Sequence, residues 1–193
     1  MRPLRLLRHP ALPGLLLAAL APLHPWLEQD MMRHMAIELP LLFAIGWLAA
    51  AAAGQRLTRM LASWNLGGLP ALLGALLVTG FWMIPAALDR AVLDDGIGMI
   101  KVVSLVAAGM AAGASWRSAG VVIQAFFMLN WFSMTLAAGL LYQEAPQQLC
   151  SVYLADQQGA AGMAVVGWAV LILVVWLPRA FAALDLSGDR ADA

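Results

Sequence analysis

Six stretches of this chain consist almost entirely of apolar residues, and each is long enough, or nearly so, to cross a lipid bilayer as a helix. A spanning helix needs about 20 mainly apolar residues. Because the bilayer core offers no water to backbone amides and carbonyls, a segment inside it must satisfy its own hydrogen bonds, which favours helices. The chain is therefore predicted to be an all-α, polytopic transmembrane helix bundle of about six spans. The six stretches are residues 10–24, 35–53, 67–88, 97–115, 119–141 and 159–177.

The composition argues against other classes of protein. Of the 193 residues, 63% are hydrophobic and only 11% are charged, whereas ordinary globular domains contain about 25% charged residues. This excludes a disordered chain and disfavours a water-soluble domain. The formal net charge is zero and no basic run occurs, which excludes a nucleic-acid-binding protein. We expect one integral-membrane domain over residues 1–193, surrounded by membrane lipid.

The placement of arginine predicts the orientation of the spans. With six spans, only Arg33, Arg90 and Lys101 lie on one side of the membrane. Cytoplasmic loops carry an excess of Lys and Arg, so both termini are predicted to be cytoplasmic. The basic residues on the cytoplasmic side are Arg2, Arg5, Arg8, Arg56, Arg59, Arg117, Arg179 and Arg190.

The first stretch has an alternative interpretation as a signal peptide. It is short, contains Pro13 and Pro22, and follows a basic N-terminus. Residues 19–21 (Ala-Leu-Ala) would serve as a small-residue cleavage site. The orientation of the later spans is the same under either interpretation.

Soft ligand side chains are concentrated toward the predicted outer face, most densely in the segment 31–35 (MMRHM). Thioether sulfur and imidazole nitrogen suit Cu(I), whereas oxygen ligands suit harder ions. A carboxylate one turn further along could orient the imidazole through its second ring nitrogen. If the second helix begins near Asp30, one helical face carries Met31, His34, Met35 and Glu38, at positions i, i+3, i+4 and i+7.

Packing and anchoring explain the same residues without a metal. Methionine commonly fills gaps between apolar helices, and a histidine at a membrane boundary is often a polar anchor. Glu38 and Lys101 are the charges set furthest into the spans. An ion pair between them, or a role for Glu38 beside the metal, is favoured over a proton path, which would need more inward carboxylates.

Cys150, the single cysteine, cannot form an internal disulfide. It could be a soft ligand, an intermolecular partner or inert.

No catalytic motif occurs in the chain. The patterns GxSxG, GK[ST] and HExxH are all absent, and we predict that the protein is not an enzyme.

Gly109 and Gly113 form a GxxxG pattern in the fourth stretch, which predicts close packing against another helix.

Two segments carry a resemblance to a known family. Residues 31–42 (MMRHMAIELPLL) open the second stretch, and residues 154–163 (LADQQGAAGM) open the last. Together they resemble the multi-pass CtaG family of cytochrome c oxidase assembly factors, whose members carry a His-Met-x-x-His-Met-like and an Asp-Gln-Gln-x-x-Gly/Ala-like segment. The resemblance implies a multi-pass protein of the bacterial inner (plasma) membrane that is linked to copper delivery or oxidase maturation. It supports as site residues Met31, His34, Met35, Asp156 and Gln157.

The resulting hypothesis is a membrane protein that handles copper, or assists assembly of a terminal cytochrome c oxidase, by holding Cu(I) at the periplasmic face. The partner would be an oxidase subunit or a periplasmic copper donor. Two alternatives stay open: an accessory subunit of a respiratory or other membrane complex without its own metal, and, with less support, a small transporter. The proposed ligands are Met31, His34, Met35 and His24, with Glu38 and Asp156 as supporting carboxylates.

Overall fold

The computed structural model describes residues 9–188, and every regular element in that range is a helix. The all-α prediction is therefore confirmed for these residues. Three-residue 3-10 turns occur inside the first helix, at Ala21–Leu23, and before the fourth, at Leu66–Gly68. The helices are α1 (Leu12–Leu27), α2 (Met31–Ala53), α3 (Gln55–Leu61), α4 (Leu69–Phe81), α5 (Pro85–Leu93), α6 (Asp95–Ser115), α7 (Gly120–Glu144) and α8 (Ala155–Gly188).

Four helices in the described range are long and apolar enough to cross a membrane. They are α2, α6, α7 and the part of α8 over Ala155–Ala182. A fifth span results if α3 and α4, which are bent by 97° at the turn between them, cross together. The first predicted span corresponds to α1, which is apolar but shorter than these helices. The structure is thus that of a helical bundle with four or five candidate membrane spans.

The third predicted stretch, residues 67–88, is divided between two helices. Helix α4 ends at Phe81, and α5 begins at Pro85. Ile84 is extended, with φ −77° and ψ 125°, because the proline ring disfavours helical backbone in the residue before it. Proline itself suits the first turn of a helix, where its missing N–H has no intrahelical acceptor. The break therefore follows from Pro85.

Helix α2 contains a π-helical segment at His34–Glu38. Its first turn is capped by Asp30, whose side chain accepts a hydrogen bond of 3.1 Å from the Arg33 amide. Pro40 has no N–H to give to the carbonyl four residues earlier. That carbonyl, of Ala36, instead accepts a 2.6 Å hydrogen bond from the indole Nε1 of Trp168 in α8. Segments of π-helix are rare and occur frequently at functional sites.

Helices α2 and α6 approach each other at glycine. A Cβ atom on Gly109 would lie 2.0 Å from the carbonyl oxygen of Phe43, and one on Gly46 would lie 2.1 Å from that of Val106. Small residues allow two helix backbones to come this close. The close packing predicted from the GxxxG pattern is present, and it holds α6, the helix that carries Lys101, against α2.

Candidate functional site

A group of polar side chains lies where α1, α2, α6 and the loop before α8 meet. Three of them are completely buried, and the side chains of His24 and Glu28 are only 32% and 14% exposed. Ionisable groups are costly to bury in a membrane and usually mark a functional site. We define the polar cluster as the six residues His24, Glu28, His34, Glu38, Lys101 and Tyr153.

Lys101 lies at the centre of the polar cluster. Its ammonium nitrogen Nζ lies 2.7 Å from Oε1 of Glu28 and 2.8 Å from Oε1 of Glu38. It also lies 2.8 Å from Nε2 of His34. An ammonium group has three N–H donors and no acceptor, so these three contacts use all of them. The ion pair predicted between Glu38 and Lys101 is present.

The contacts of His34 determine which of its ring nitrogens carries the proton. Because Lys101 can only donate, Nε2 of His34 accepts, and the proton of the neutral ring lies on Nδ1. Nδ1 then donates to the hydroxyl of Tyr153, in the loop before α8. Burial raises the pKa of Tyr153, so its hydroxyl stays protonated. Both nitrogens of His34 are therefore engaged within the protein.

Glu38 makes its direct imidazole contact with His24 rather than with His34. Its Oε1 lies 2.9 Å from Nδ1 of His24, whereas its Oε2 lies 3.7 Å from Nε2 of His34. His24 also lies 3.4 Å from Glu28 through Nε2. Glu38 was predicted to orient the ring of His34. It contacts His24 near the end of α1 instead, and the ammonium of Lys101 lies between Glu38 and His34.

The polar cluster has an excess of negative charge and an unused acceptor. Two carboxylates and one ammonium leave one negative charge when both imidazoles are neutral. Oε2 of Glu38 is buried and has no hydrogen-bond partner among residues 9–188. Buried polar atoms are nearly always paired, and an exception needs a reason such as a bound ion. Both features suit the binding of one cation.

The donor atoms present suit a transition-metal ion. One ligand atom from each of His24, Glu28 and Glu38 lies within 4.8 Å of the others. Imidazole and carboxylate ligands together bind divalent first-row ions, among which Cu²⁺ is bound most tightly. His24 is the most solvent-accessible of these three side chains, and an ion would reach it first.

The two methionines proposed as ligands are buried in the same part of α2. Met31 is 0% exposed and Met35 is 3% exposed, and both belong to the apolar cluster around the polar one. The Met31 amide donates to Oε1 of Gln157 over 3.4 Å, which joins the two segments that carry the family resemblance. Asp156 is exposed at the start of α8 and lies outside the polar cluster.

Three members of the polar cluster are missing from the ligands proposed from the sequence: Glu28, Lys101 and Tyr153. Of these, Lys101 was predicted as the ion-pair partner of Glu38, whereas Glu28 and Tyr153 were not assigned to the site. Glu28 lies four residues after His24, a spacing that places two side chains together on a helix, so a local signal was available. Tyr153 is 119 residues from His34, and only its place beside the segment 154–163 associates it with the site.

The loop before α8 is held in place by a carboxylate from α5. Asp89 accepts hydrogen bonds of 2.6 and 2.7 Å from the amide and hydroxyl of Ser151. In the same loop Leu149 donates to the side chain of Gln158 over 2.8 Å. Cys150 is a free, buried thiol, 1% exposed. These contacts fix the backbone just before Tyr153, whose hydroxyl lies against His34.

Comparison with known proteins adds no relative. No protein-family model, no curated protein and no solved structure matches this chain. The resemblance of two segments to the CtaG family therefore stays a prediction, and the chemistry of the site follows from its own residues.

Proposed function

We propose that this protein is a multi-pass protein of a bacterial plasma membrane that holds a copper ion in the polar cluster and passes it on during assembly of a terminal cytochrome c oxidase. The observation that carries the metal-handling role is the buried cluster with its excess negative charge and its unpaired Glu38 oxygen. The oxidase role rests on the resemblance of residues 31–42 and 154–163. Copper is the cargo, and transfer proceeds by exchange of ligands.

The choice of copper is supported by the soft donors beside the cluster. His34, Met31 and Met35 follow one another on the first turns of α2 and are all buried. A nitrogen and two thioethers suit Cu(I). A single positive charge would also neutralise the cluster while Lys101 stays in it. Zn²⁺ and Cu²⁺ are the competing ions because of the nearby carboxylates.

The proposed topology has six spans with both termini in the cytoplasm. It counts α1, the bent pair of α3 and α4, and the four long helices as one span each. The bias of arginine toward one side supports this orientation, which puts the polar cluster at the periplasmic end. Fusion of a cytoplasmically active reporter after residue 117, between α6 and α7, and after residue 94, between α5 and α6, tests it, since only the first fusion should be active.

Metal analysis of the purified protein tests the proposed site. The protein is loaded anaerobically with Cu(I), and separately with Zn²⁺, and the bound metal is measured for the wild type and for His34→Gln and Glu38→Gln. We expect about one copper per chain in the wild type and a loss of at least half of it in each variant. His9→Gln and Met99→Leu are controls, because both side chains are exposed. Equal copper in wild type and cluster variants would contradict the site.

The role in oxidase assembly needs a separate experiment. A strain lacking the protein is complemented with the wild type or with His34→Gln, and terminal oxidase activity is measured at limiting copper. We expect activity to fall in the deletion strain and to return only with the wild type. Normal activity in the deletion strain would exclude the role.

An accessory subunit of a membrane complex is the second candidate. It is favoured by the three hydrogen bonds of Lys101, which join α6 to α2 and to Glu28 at the end of α1. Such a cluster could hold these segments together without binding any metal. Stable co-purification with a respiratory complex, with no copper bound, would support this alternative. A transporter has less support, since the cavity of about 440 Å³ between the helices is lined mainly by apolar side chains, among them Trp47, Trp116 and Phe127, and does not offer the polar path that a transporter needs.

A further inference from the structure

The ammonium of Lys101 occupies the position that a metal bound to His34 would need. Nδ1 of His34 is engaged by Tyr153, so only Nε2 has a lone pair to offer. That lone pair faces Nζ of Lys101 at 2.8 Å. The same Nζ holds Oε1 of Glu38 at 2.8 Å. Neither of these two donor atoms can bind an ion while the ammonium stays where it is.

Glu28 offers the ammonium a place to move to. Its Oε1 lies 2.7 Å from Nζ of Lys101, and its side chain is 14% exposed, whereas His34 and Glu38 are fully buried. A lysine side chain has a long flexible stem. A small movement toward Glu28 would free the other two acceptors and keep the ammonium paired.

We infer that Lys101 is a built-in competitor for the metal: its ammonium occupies the site between His34 and Glu38 when no ion is bound, and moves onto Glu28 when an ion enters. The inference rests on the proposed function. The consequence of this exchange is easy release of the metal ion, since the returning ammonium replaces the departing ion and no buried carboxylate is left unpaired. A site that passes its ion on needs this property, whereas a permanent metal centre does not.

Charge balance agrees with this exchange. With the ammonium on Glu28 and one Cu(I) ion on Glu38 and His34, each carboxylate has one positive partner. In the part of the chain that the structure describes, the other groups that face the site are His24 from α1 and the hydroxyl of Tyr153 from the loop before α8. Neither supplies a positive charge when neutral, so Lys101 is the cation that competes with the metal.

The chain contains a single lysine, which permits a direct test on the unaltered protein. Protein labelled with ¹³C at the lysine Cε gives one lysine signal in an NMR spectrum. We expect this signal to shift on anaerobic addition of Cu(I) and to stop shifting at one copper per chain. Bound copper at one per chain with an unmoved lysine signal would overturn the inference and leave the proposed function standing.

A second measurement compares copper affinities, by competition with a chromogenic Cu(I) chelator. We expect folded Lys101→Met to bind Cu(I) at least about tenfold more tightly than the wild type, because a like charge next to the ion is removed. Arg90→Met, which removes an exposed positive charge, should leave the affinity within about threefold. Equal or weaker binding by Lys101→Met would overturn the inference. Absence of copper from both proteins would overturn the proposed function as well. If Lys101→Met does not fold, the labelled wild type decides.

Discussion

The ammonium of Lys101 lies 2.8 Å from the carboxylate of Glu38, and solvent reaches neither side chain. The two residues come from different helices, α6 and α2, which approach closely at glycine. Each charge has been taken out of water at a large cost that only a well-placed partner offsets. The stability of this end of the bundle and the chemistry of the polar cluster therefore depend on the same contact.

Removal of Lys101 is expected to destabilise the metal-free protein strongly. Lys101→Met leaves two carboxylates without their cation, and loss of one partner of a buried pair typically lowers the free energy of unfolding by about 3–5 kcal/mol. Unfolding in detergent, followed by circular dichroism, measures the loss. Arg90→Met is the matched control.

The double variant Lys101→Met/Glu38→Gln separates charge from packing in this pair. If the loss comes from the unpaired charge, the double variant should be more stable than Lys101→Met alone, because one uncompensated carboxylate has been neutralised. A double variant less stable than both single variants would contradict this explanation.

Substitution of Gly109 by alanine should weaken the contact between α2 and α6. The added Cβ would lie 2.0 Å from the carbonyl oxygen of Phe43, and overpacking of this kind costs about 1–3 kcal/mol. Gly74→Ala is the control, because a Cβ there meets no atom of the described residues within 4 Å. Thermal unfolding of the two variants should differ, with Gly74→Ala unchanged or slightly more stable. Equal melting temperatures would show that α2 and α6 can move apart without a loss of thermal stability.

The helices were predictable from the sequence because the bilayer restricts what an apolar segment can form. The break in residues 67–88 was missed, since Trp82 to Ile84 are as uncharged as their surroundings and only Pro85 signals it. Regular helical spacing placed His34 and Glu38 together on α2, and both do belong to the polar cluster. The contact between His34 and Tyr153 had no such signal, because it joins residues 119 positions apart through a loop whose path is set by Asp89.

Loss of the indole N–H of Trp168 is expected to destabilise the π-helical segment. Trp168→Phe leaves the Ala36 carbonyl without the 2.6 Å hydrogen bond that substitutes for the missing amide of Pro40. An unsatisfied buried carbonyl costs about 1–3 kcal/mol. Trp64→Phe is the control, since Trp64 is 54% exposed. If the π-helical segment positions His34 and Glu38, Trp168→Phe should also bind less copper than the control. Unchanged stability and unchanged copper content would show that Trp168 neither stabilises the segment nor helps to position these two side chains.

Cys150 is expected to resist alkylation in the folded protein. Burial, and next the charge of Asp89, raise the pKa of its thiol to about 12 from an ordinary value of 9. The thiolate is the reactive form, so at pH 8 the folded protein should contain about a thousandfold less of it than an ordinary cysteine, and the thiol is also only 1% exposed. Since the folded state holds the proton more tightly, the stability that this thiol contributes is complete below pH 9 and is lost as the pH rises toward 12.

Maleimide labelling of Cys150, measured by mass spectrometry, should be slow until the protein is unfolded. A variant with Gln147→Cys and Cys150→Ala, which places the only thiol at an exposed position of the same loop, should react rapidly when folded, and equal rates for the two proteins would show that Cys150 is accessible.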